Sequence, residues 1–276
     1  MKRFELLKVG TDCELFIKDL SGQTIPVIGL LGGDKINPRP VLDEEGYAVQ
    51  EDNVMAEFNI PPRSDVTSFV TSINKMLGFL SAHFWELDFM RLDISASQIF
   101  DPKQLEHPQA KRIGCEPDFC VWTTKMNVLK NTHPLLKQMR TSGGHVHFSY
   151  LVEGNPPSTL DRLEFVRMND LHYGVASVLL DGDSRRKELY GKAGAFRMKD
   201  YGHEYRVLSN FWLESDDLKA WVFNQAQECV KAMNEKGTYY QDMFSGTLGK
   251  LIQKCINDND KGLAKELCQE FGVQLP

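Results

Sequence analysis

The stretch from Gly143 to Ser149, which reads GGHVHFS, constrains the fold more than any other part of the chain. In an extended strand, successive side chains point to opposite faces of the sheet. One face then carries His145, His147 and Ser149, and the other carries Val146, Phe148 and Tyr150. Two imidazoles side by side on a strand are suited to a metal ion or a phosphate. The end of a hairpin whose histidines only form hydrogen bonds is the alternative explanation.

Three further segments repeat this construction with acidic side chains. Residues 5–18 alternate between an apolar face and a polar face that carries Asp12 and Glu14. Residues 48–60 are predicted to form a second strand, which carries Glu57, and a late strand carries Glu204 and Arg206. Because the apolar faces of all four strands are expected to share one core, their ionisable faces are expected to line a common cleft.

Helices are predicted between and after these strands from apolar residues at helical spacing and from capping residues. They cover about residues 64–85, residues 158–181 and the chain beyond residue 216, whereas residues 25–31 and 88–100 are predicted to be further strands. Repeated prolines interrupt residues 101–140, including Glu116-Pro117. Since no repeat or linker is visible, we expect a single domain over residues 1–276.

Composition excludes several classes of protein. The chain has 276 residues, of which 42% are hydrophobic and 25% charged, and its net charge is −6. This mild acidity argues against duplex DNA or an anionic membrane as the main partner. No signal-peptide core or membrane-length apolar run is found, so we expect a cytoplasmic protein.

Cysteine usage agrees with that compartment. The six cysteines, at positions 13, 115, 120, 229, 255 and 268, are scattered and are expected to be reduced thiols. Cys115 and Cys120 lack the second pair of ligands that a zinc knuckle needs.

The charged residues on the four strands indicate a chemistry. Clustered carboxylates repel one another and lose hydration when buried, unless cations lie among them. Oxygen-rich ligands with a histidine favour Mg²⁺ or Mn²⁺. Basic residues suited to phosphate oxygens accompany them, namely Arg185, Arg186, Lys192, Arg197 and Arg206. Acids for metals and arginines for phosphate are typical of phosphoryl transfer. A surface network of salt bridges explains the charges, but not their repeated placement opposite apolar faces.

Four motifs in order resemble a known superfamily. They read GTDCELF (10–16), EDNVMAEFNIPP (51–62), SGGHVHFS (142–149) and YGKAGAFRMKDYGHEYRVLSNFW (190–212). The set resembles the glutamine synthetase/glutamate–cysteine ligase superfamily of carboxylate–amine ligases. The amino-acid sequences of these motifs are most similar to those of the phage-type amidoligases, the COOH-NH2 ligase type 2 group. The resemblance extends over residues 8 to 212.

This resemblance implies an α+β fold like the glutamine synthetase catalytic domain. Such a fold has a curved, mainly antiparallel sheet, with helices on its outer face and the active site on its concave face. The resemblance also implies two divalent ions, one held by Glu14 and Glu57 and the other by Asp12, His145 and Glu204. Glu51 is the candidate for a further strand acid.

The resemblance assigns roles around the nucleotide as well. The residues expected to contact ATP are His147, Ser149, Lys192, Arg197 and Arg206. Arg197 and Arg206 would brace the transferred phosphoryl group, and together with Glu57 they form the expected catalytic set.

The implied reaction has two steps and uses small carboxylate and amine substrates. ATP phosphorylates the carboxylate, and an amine then displaces phosphate to form an amide. Glu51 or Asp52 is the candidate base, and the 29–39 loop, with a Gly32-Gly33 hinge, is a candidate lid. A phage-encoded protein would act in the host cytoplasm.

Three alternatives remain at this point. An iron oxygenase would use His145 and His147 with Glu57 or Glu204 as a facial triad. A relative in the same superfamily would transfer phosphate to a guanidino group without forming an amide. The third alternative is a non-catalytic nucleotide-binding module.

Overall fold

A computed structural model describes residues 2–112, 118–128 and 133–276 of the chain. Glu116-Pro117 and Cys115 lie outside the described residues. The other five cysteines are free thiols, as predicted. No helix of the described part is long and apolar enough to cross a membrane.

Within the described ranges, ten strands form one large antiparallel sheet, and two short strands pair separately. The strands are β1 (Phe4–Lys18), β2 (Thr24–Ile25), β3 (Arg39–Pro40), β4 (Ala48–Asp52), β5 (Met55–Asn59), β6 (Arg91–Asp93), β7 (Ser97–Ile99), β8 (Phe119–Cys120), β9 (Met139–Thr141), β10 (Gly144–Val152), β11 (Ala195–Lys199) and β12 (Gly202–Tyr205). The order in the sheet is β3-β4-β5-β1-β10-β12-β11-β8, with β2 and β6 paired to β1 and with β7 and β9 forming the separate pair.

The register of the central strands sets the site. Asp12 lies opposite His145 across β1 and β10, and Glu14 lies opposite Glu57 across β1 and β5. On the other side of β10, His147 lies opposite Glu204 of β12. Directly opposed residues share one face of a sheet. The ionisable residues predicted on separate strands therefore do converge on one face.

Helices cover the opposite, apolar face of the sheet. They are α1 (Val66–Asp88), α3 (Thr159–Asn169), α4 (Val175–Leu180), α5 (Asp216–Ser245), α6 (Thr247–Asp258) and α7 (Lys261–Phe271), whereas the short α2 (Pro108–Lys111) belongs to a separate small cluster with Phe16 and Met55. Phe148 of β10 packs against Phe165 of α3, with ring centroids 5.4 Å apart, and Phe69 of α1 stacks on Trp212. These residues belong to one continuous buried core. The α+β fold with a large antiparallel sheet and packed helices is thus confirmed, whereas the likeness to glutamine synthetase and the single domain stay predictions.

Several predicted boundaries are wrong. Residues 48–60 form the β4–β5 hairpin rather than one strand, because Asn53 takes a left-handed conformation (φ 56°) at its turn. Residues 88–100 contain two short strands, and residues 25–31 contain no strand beyond Ile25. The helix predicted over residues 158–181 is divided by a π-helical turn at residues 170–174.

Candidate metal and phosphate site

Two groups of potential metal ligands lie on the face of the sheet that is opposite the helices. Asp12, His147 and Glu204 form the first trio, and Glu14, Asp52 and Glu57 form the second. Within each trio, one donor atom from each residue lies within 4.8 Å of the others. Of the predicted metal ligands, only His145 belongs to neither trio, although its ring lies beside the first one.

Asp12 holds the two histidines of β10 in place. Its Oδ1 lies 3.1 Å from Nδ1 of His145 and 3.1 Å from Nε2 of His147. Nδ1 of His147 in turn lies 2.5 Å from the hydroxyl of Tyr201, whose ring stacks on the imidazole. The tautomer of the imidazole sets which group donates in the bond between Nδ1 of His147 and the tyrosine hydroxyl.

Three cations surround Glu204. Arg197 Nη1 donates to both of its carboxylate oxygens, at 2.9 and 3.1 Å, and Lys199 Nζ lies 3.1 Å from Oε2. Arg206 also pairs with Glu204, and its Nε lies 3.4 Å from Asp118. This is a concentration of positive charge suited to phosphate oxygens.

Lys199 and Tyr201 are site residues that sequence reasoning missed. The sequence indicates Arg197 only as a basic residue suited to phosphate, but Arg197 belongs to β11, which pairs with β12. Arg197 and Lys199 are two residues apart on one strand, so they share a face. A strand assignment for residues 195–199 is the signal that would have found Lys199.

The environment of the first trio favours its ionised form. Burial raises the pKa of Asp12, but the neighbouring His147 and His145 outweigh it and hold the pKa well below its usual range. Burial and Asp12 also oppose ionisation of Glu204, yet Arg206 and both histidines lower the pKa of Glu204 to about 2. Burial and Arg206 lower the pKa of His145 to about 4, so it is neutral.

In the second trio, the environment disfavours the ionised form of the carboxyl groups. Burial and the charge of Asp52 raise the pKa of Glu14 to about 7, and burial with Asp12 and Asp52 raises the pKa of Glu57 well above its usual range. The backbone N–H of Gly143 donates to Glu14 Oε2 at 2.5 Å. Three buried or half-buried carboxyl groups at this spacing are destabilised as anions. The donor set is all oxygen, so it fits Mg²⁺ or Mn²⁺.

Asp52, rather than Glu51, completes the second trio. The hairpin turn at Asn53 places Asp52 at the end of β4, next to Glu14 and Glu57. Glu51 faces away, and its carboxylate accepts the backbone N–H groups of Gly29, Leu31 and Gly32. Glu51 therefore anchors the base of the 29–39 loop. The role of that loop as a lid stays a prediction.

Two cavities flank the trios. The first is lined by Lys8, Gly10, Asn59, His147, Ser149 and Tyr201, so two of the residues expected to contact the nucleotide lie there. The second, which we name the arginine cavity, is lined by Glu14, Asp52, Arg140, His145, Arg186 and Arg206, among others.

Two of the basic residues predicted for phosphate lie elsewhere. Lys192 is exposed and lines a third cavity together with Asp118 and Tyr190. Arg185 is exposed and pairs with Asp183, with its Nη2 at 2.8 Å from Oδ2. The structure thus brings Arg197 and Arg206 to the trios, but not Lys192 or Arg185.

The paired glycines of the GGHVHFS stretch have a steric role. A Cβ atom on Gly143 would collide with the His145 ring, and one on Gly144 would collide with the carbonyl of Ser209 and the indole of Trp212. Trp212 Nε1 donates to the Gly144 carbonyl at 3.2 Å. The glycines therefore let β10 approach its neighbours closely and leave room for the histidine.

The comparison with known proteins concerns the part of the site that β10, β11 and β12 provide. A family model described as "Phage phiEco32-like COOH.NH2 ligase-type 2" matches residues 124–245. The matched segment contains β10, β11 and β12, and hence His147, Arg197, Glu204 and Arg206, whereas Asp12, Glu14, Asp52 and Glu57 precede it. No curated protein matches the chain.

Proposed function

We propose that the chain, whose residues 124–245 match the model of the phage phiEco32-like COOH-NH2 ligase type 2 family, is an ATP-dependent carboxylate–amine ligase. It joins a carboxylate to an amine through an acyl phosphate, with two divalent cations and with ATP as the phosphoryl donor. The proposal includes a catalytic domain like that of glutamine synthetase.

One observation carries the proposal. Two trios of potential ligands lie side by side on one sheet face, and a cluster of cations adjoins them. Asp12 and Glu204 are held as anions, and Glu14, Asp52 and Glu57 lack a direct cationic partner among the described residues. A ligase that binds ATP with metal ions needs acidic ligands for the metal ions and basic side chains for the phosphates.

The reaction balances as two displacements. A carboxylate oxygen of the substrate attacks the γ-phosphorus of ATP, the bond to ADP breaks, and an acyl phosphate forms. The amine nitrogen then attacks the acyl carbon, the bond to phosphate breaks, and one proton leaves the nitrogen. Mg²⁺ or Mn²⁺ bound at the trios would neutralise phosphate charge and orient the oxygens.

The residues of the chain supply positioning and charge. Arg197 and Arg206 lie where they can hold the transferred phosphoryl group while its charge shifts to ADP. Glu14 and Glu57 would hold the cation nearer the arginine cavity. Of the two candidate bases, Glu51 is engaged with backbone amides, so the proposal gives the amine proton to Asp52, which lines that cavity.

The iron oxygenase alternative is less well supported. A facial triad needs two histidines and one carboxylate around one ion. Among the described residues, each trio contains at most one histidine, and Glu57 belongs to the other trio. Guanidino phosphoryl transfer and nucleotide binding without catalysis are distinguished from ligation by whether ADP and hydroxamate form.

The test measures ADP release and trapping of the acyl phosphate by hydroxylamine, with a panel of carboxylic acids, Mg²⁺ and ATP. A ligase forms hydroxamate and ADP together. Glu14→Gln and Glu204→Gln are expected to abolish both products, and the exposed control Glu86→Gln is expected to leave them unchanged. ADP without hydroxamate in the presence of a guanidino compound points to phosphoryl transfer, and nucleotide binding without ADP points to a binding module.

A further inference from the structure

Asn53, in the turn between β4 and β5, is the neighbour in sequence of a member of the second trio. Strand β4 ends at Asp52 and β5 begins at Met55, so the turn consists of Asn53 and Val54. Asn53 takes a left-handed conformation there (φ 56°). Since the turn of a hairpin fixes the register of its strands, the position of Asp52 at the strand end depends on the conformation that Asn53 holds.

The Asn53 side chain is held by hydrogen bonds at both ends of its amide. Nδ2 donates to the backbone carbonyls of Gln109, Ala110 and Arg112, at 3.2, 3.1 and 2.9 Å. Oδ1 accepts from Nε of Arg140 at 3.0 Å. A rotated amide would place donor against donor and acceptor against acceptor, so these partners fix its orientation.

The partner carbonyls lie at the end of a short helix. The helix α2 has four residues, and the last carbonyls of a helix have no acceptor role within it. Asn53 caps these carbonyls from a distant part of the chain, and Nη2 of Arg140 adds a bond to the Ala110 carbonyl at 2.8 Å. The turn and the end of α2 therefore stabilise each other.

The rest of the turn is fixed to the same region. Val54 is fully buried and belongs to the small cluster that contains Phe100 and Ala110. Gln109 Nε2 donates to the backbone carbonyl of Asn53 at 3.0 Å. Both turn residues are thus tied to the region around α2, for which the sequence alone indicated no role.

Arg140 is itself held in place by other bonds. Only 6% of its surface is exposed, and its Nη1 donates to the carbonyls of Leu136 and Met139, at 2.6 and 2.8 Å. Because a buried donor is costly to leave unpaired, the guanidinium cannot follow a displaced Asn53 without losing these bonds. Arg140 therefore provides a fixed point for the Asn53 side chain.

These bonds act against a repulsion within the second trio. One carboxylate oxygen from each of Glu14, Asp52 and Glu57 lies within 4.8 Å of the others, and like charges at this distance repel. Glu14 and Glu57 lie opposite each other on paired strands, whereas Asp52 is at the end of its strand. Asp52 is therefore the member that a released turn would let swing away.

We propose that Asn53 is a positioning residue for a divalent cation at the second trio. Its amide holds the Asp52 carboxylate beside Glu14 and Glu57, so that the negative charge of Asp52 adds to that of the two glutamates. This inference rests on the proposed function, because it concerns a cation that the proposed ligase would bind.

Binding of Mn²⁺ without ATP tests the inference independently of turnover. Wild-type protein and Glu14→Gln are titrated by calorimetry, and the binding that Glu14→Gln loses is assigned to the second trio. Asn53→Gly removes the amide and keeps a residue suited to a positive φ. It is expected to weaken binding at the second trio by about 10- to 100-fold, as loss of a group that supports a metal ligand does, and to leave the remaining binding within about three-fold.

Asn259→Gly is the matched control. Asn259 also takes a left-handed conformation (φ 54°), at the C-terminus of α6, and is not a neighbour of either trio in sequence. The control loses the same amide from the same conformation, so it is expected to bind Mn²⁺ as wild-type protein does. A general structural defect in Asn53→Gly would weaken all Mn²⁺ binding together and would contradict the inference.

Failure of the inference and failure of the proposed cation site give different results. If Asn53→Gly binds Mn²⁺ at the second trio as tightly as wild-type protein does, the positioning role is overturned and the cation site stands. If Glu14→Gln loses no Mn²⁺ binding, the cation site is overturned, and the inference with it.

Arg140→Lys tests the same bond from its other partner. Lysine keeps the positive charge but lacks the planar group that joins Asn53 Oδ1 to the carbonyls. The double variant Asn53→Gly/Arg140→Lys is expected to bind Mn²⁺ within about two-fold of the weaker single variant, because both changes act through one contact. Losses that multiply would contradict the inference. If Asn53→Gly does not fold, an unchanged Mn²⁺ affinity of Arg140→Lys overturns the inference.

Discussion

At the residue scale, backbone groups of a single glycine position two side chains of the site. Gly143 donates its N–H to Glu14 and accepts the N–H of Glu14 at its own carbonyl, at 2.9 Å, while the His145 ring lies against its Cα. One glycine thus positions a member of the second trio and a histidine beside the first. The sequence indicated the histidines and the acids, but it gave no sign that a glycine links them.

Gly143→Ala tests this link. The added methyl group is expected to displace the His145 ring, and a shift of about 1 Å in a catalytic group costs about 100-fold in rate. Gly182→Ala is the control, because its Cβ atom would meet nothing within 4 Å. Hydroxamate formation is the measurement for both variants. An activity of Gly143→Ala within two-fold of the control would contradict the positioning role.

Glu14 and Glu204 are expected to affect stability in opposite directions. Glu14 is repelled by Asp52 and Glu57 in the metal-free protein, so Glu14→Gln should raise the free energy of unfolding by about 1–3 kcal/mol at pH 8. Glu204 neutralises Arg197, Lys199 and Arg206, so Glu204→Gln should lower it by about 3 kcal/mol. Urea unfolding in EDTA measures both, and effects of the same sign would contradict the charge assignment.

Among the elements, the strands were easier to predict than the turns between them. The alternation in residues 5–18 and in the GGHVHFS stretch identified β1 and β10, because each strand has one largely apolar face. The β4–β5 hairpin was missed because the same alternation runs through its turn, where Asn53 is the main turn signal. That error hid Asp52, whose position depends on the turn.

A buried acid also links elements on the helical side of the sheet. Asp170, in the π-helical turn between α3 and α4, accepts hydrogen bonds from Trp122 Nε1 at 2.6 Å and from the Tyr205 hydroxyl at 2.8 Å. Burial nevertheless raises the pKa of Asp170 from 3.8 to about 6. No motif marked this residue, because its burial depends on how the helices pack.

The pH dependence of stability tests Asp170. Since its folded pKa lies above its unfolded pKa, the folded protein takes up this proton first, and stability from this group rises as pH falls from about 6 to 4. Asp170→Asn cannot titrate. The difference in unfolding free energy between wild type and variant should therefore change by up to about 3 kcal/mol across that window. A difference that is constant between pH 4 and 7 would contradict the raised pKa.

At the scale of the whole molecule, the two faces of the antiparallel sheet differ: one packs against the helices, and the other carries the ionisable side chains of the candidate site. The helices bury one face, and the other presents both trios, the cations around Glu204 and the two flanking cavities. The sequence predicted this division from alternation, and the family motifs pointed to Asp12, Glu14, Glu57 and Glu204, which are members of the two trios of potential ligands. It did not predict the positions of Lys199 and Tyr201 at the site, since those positions depend on three-dimensional neighbours.

Titration calorimetry of ATP, with Mg²⁺ and with EDTA, tests the central claim most directly. Wild-type protein and the control Glu86→Gln are expected to bind ATP at least about ten-fold more tightly with Mg²⁺, and the double variant Glu14→Gln/Glu204→Gln, which removes one ligand from each trio, is expected to lose that difference. ATP affinity that is independent of the cation, or a cation effect that survives in the double variant, would contradict a metal-assisted nucleotide site at the trios.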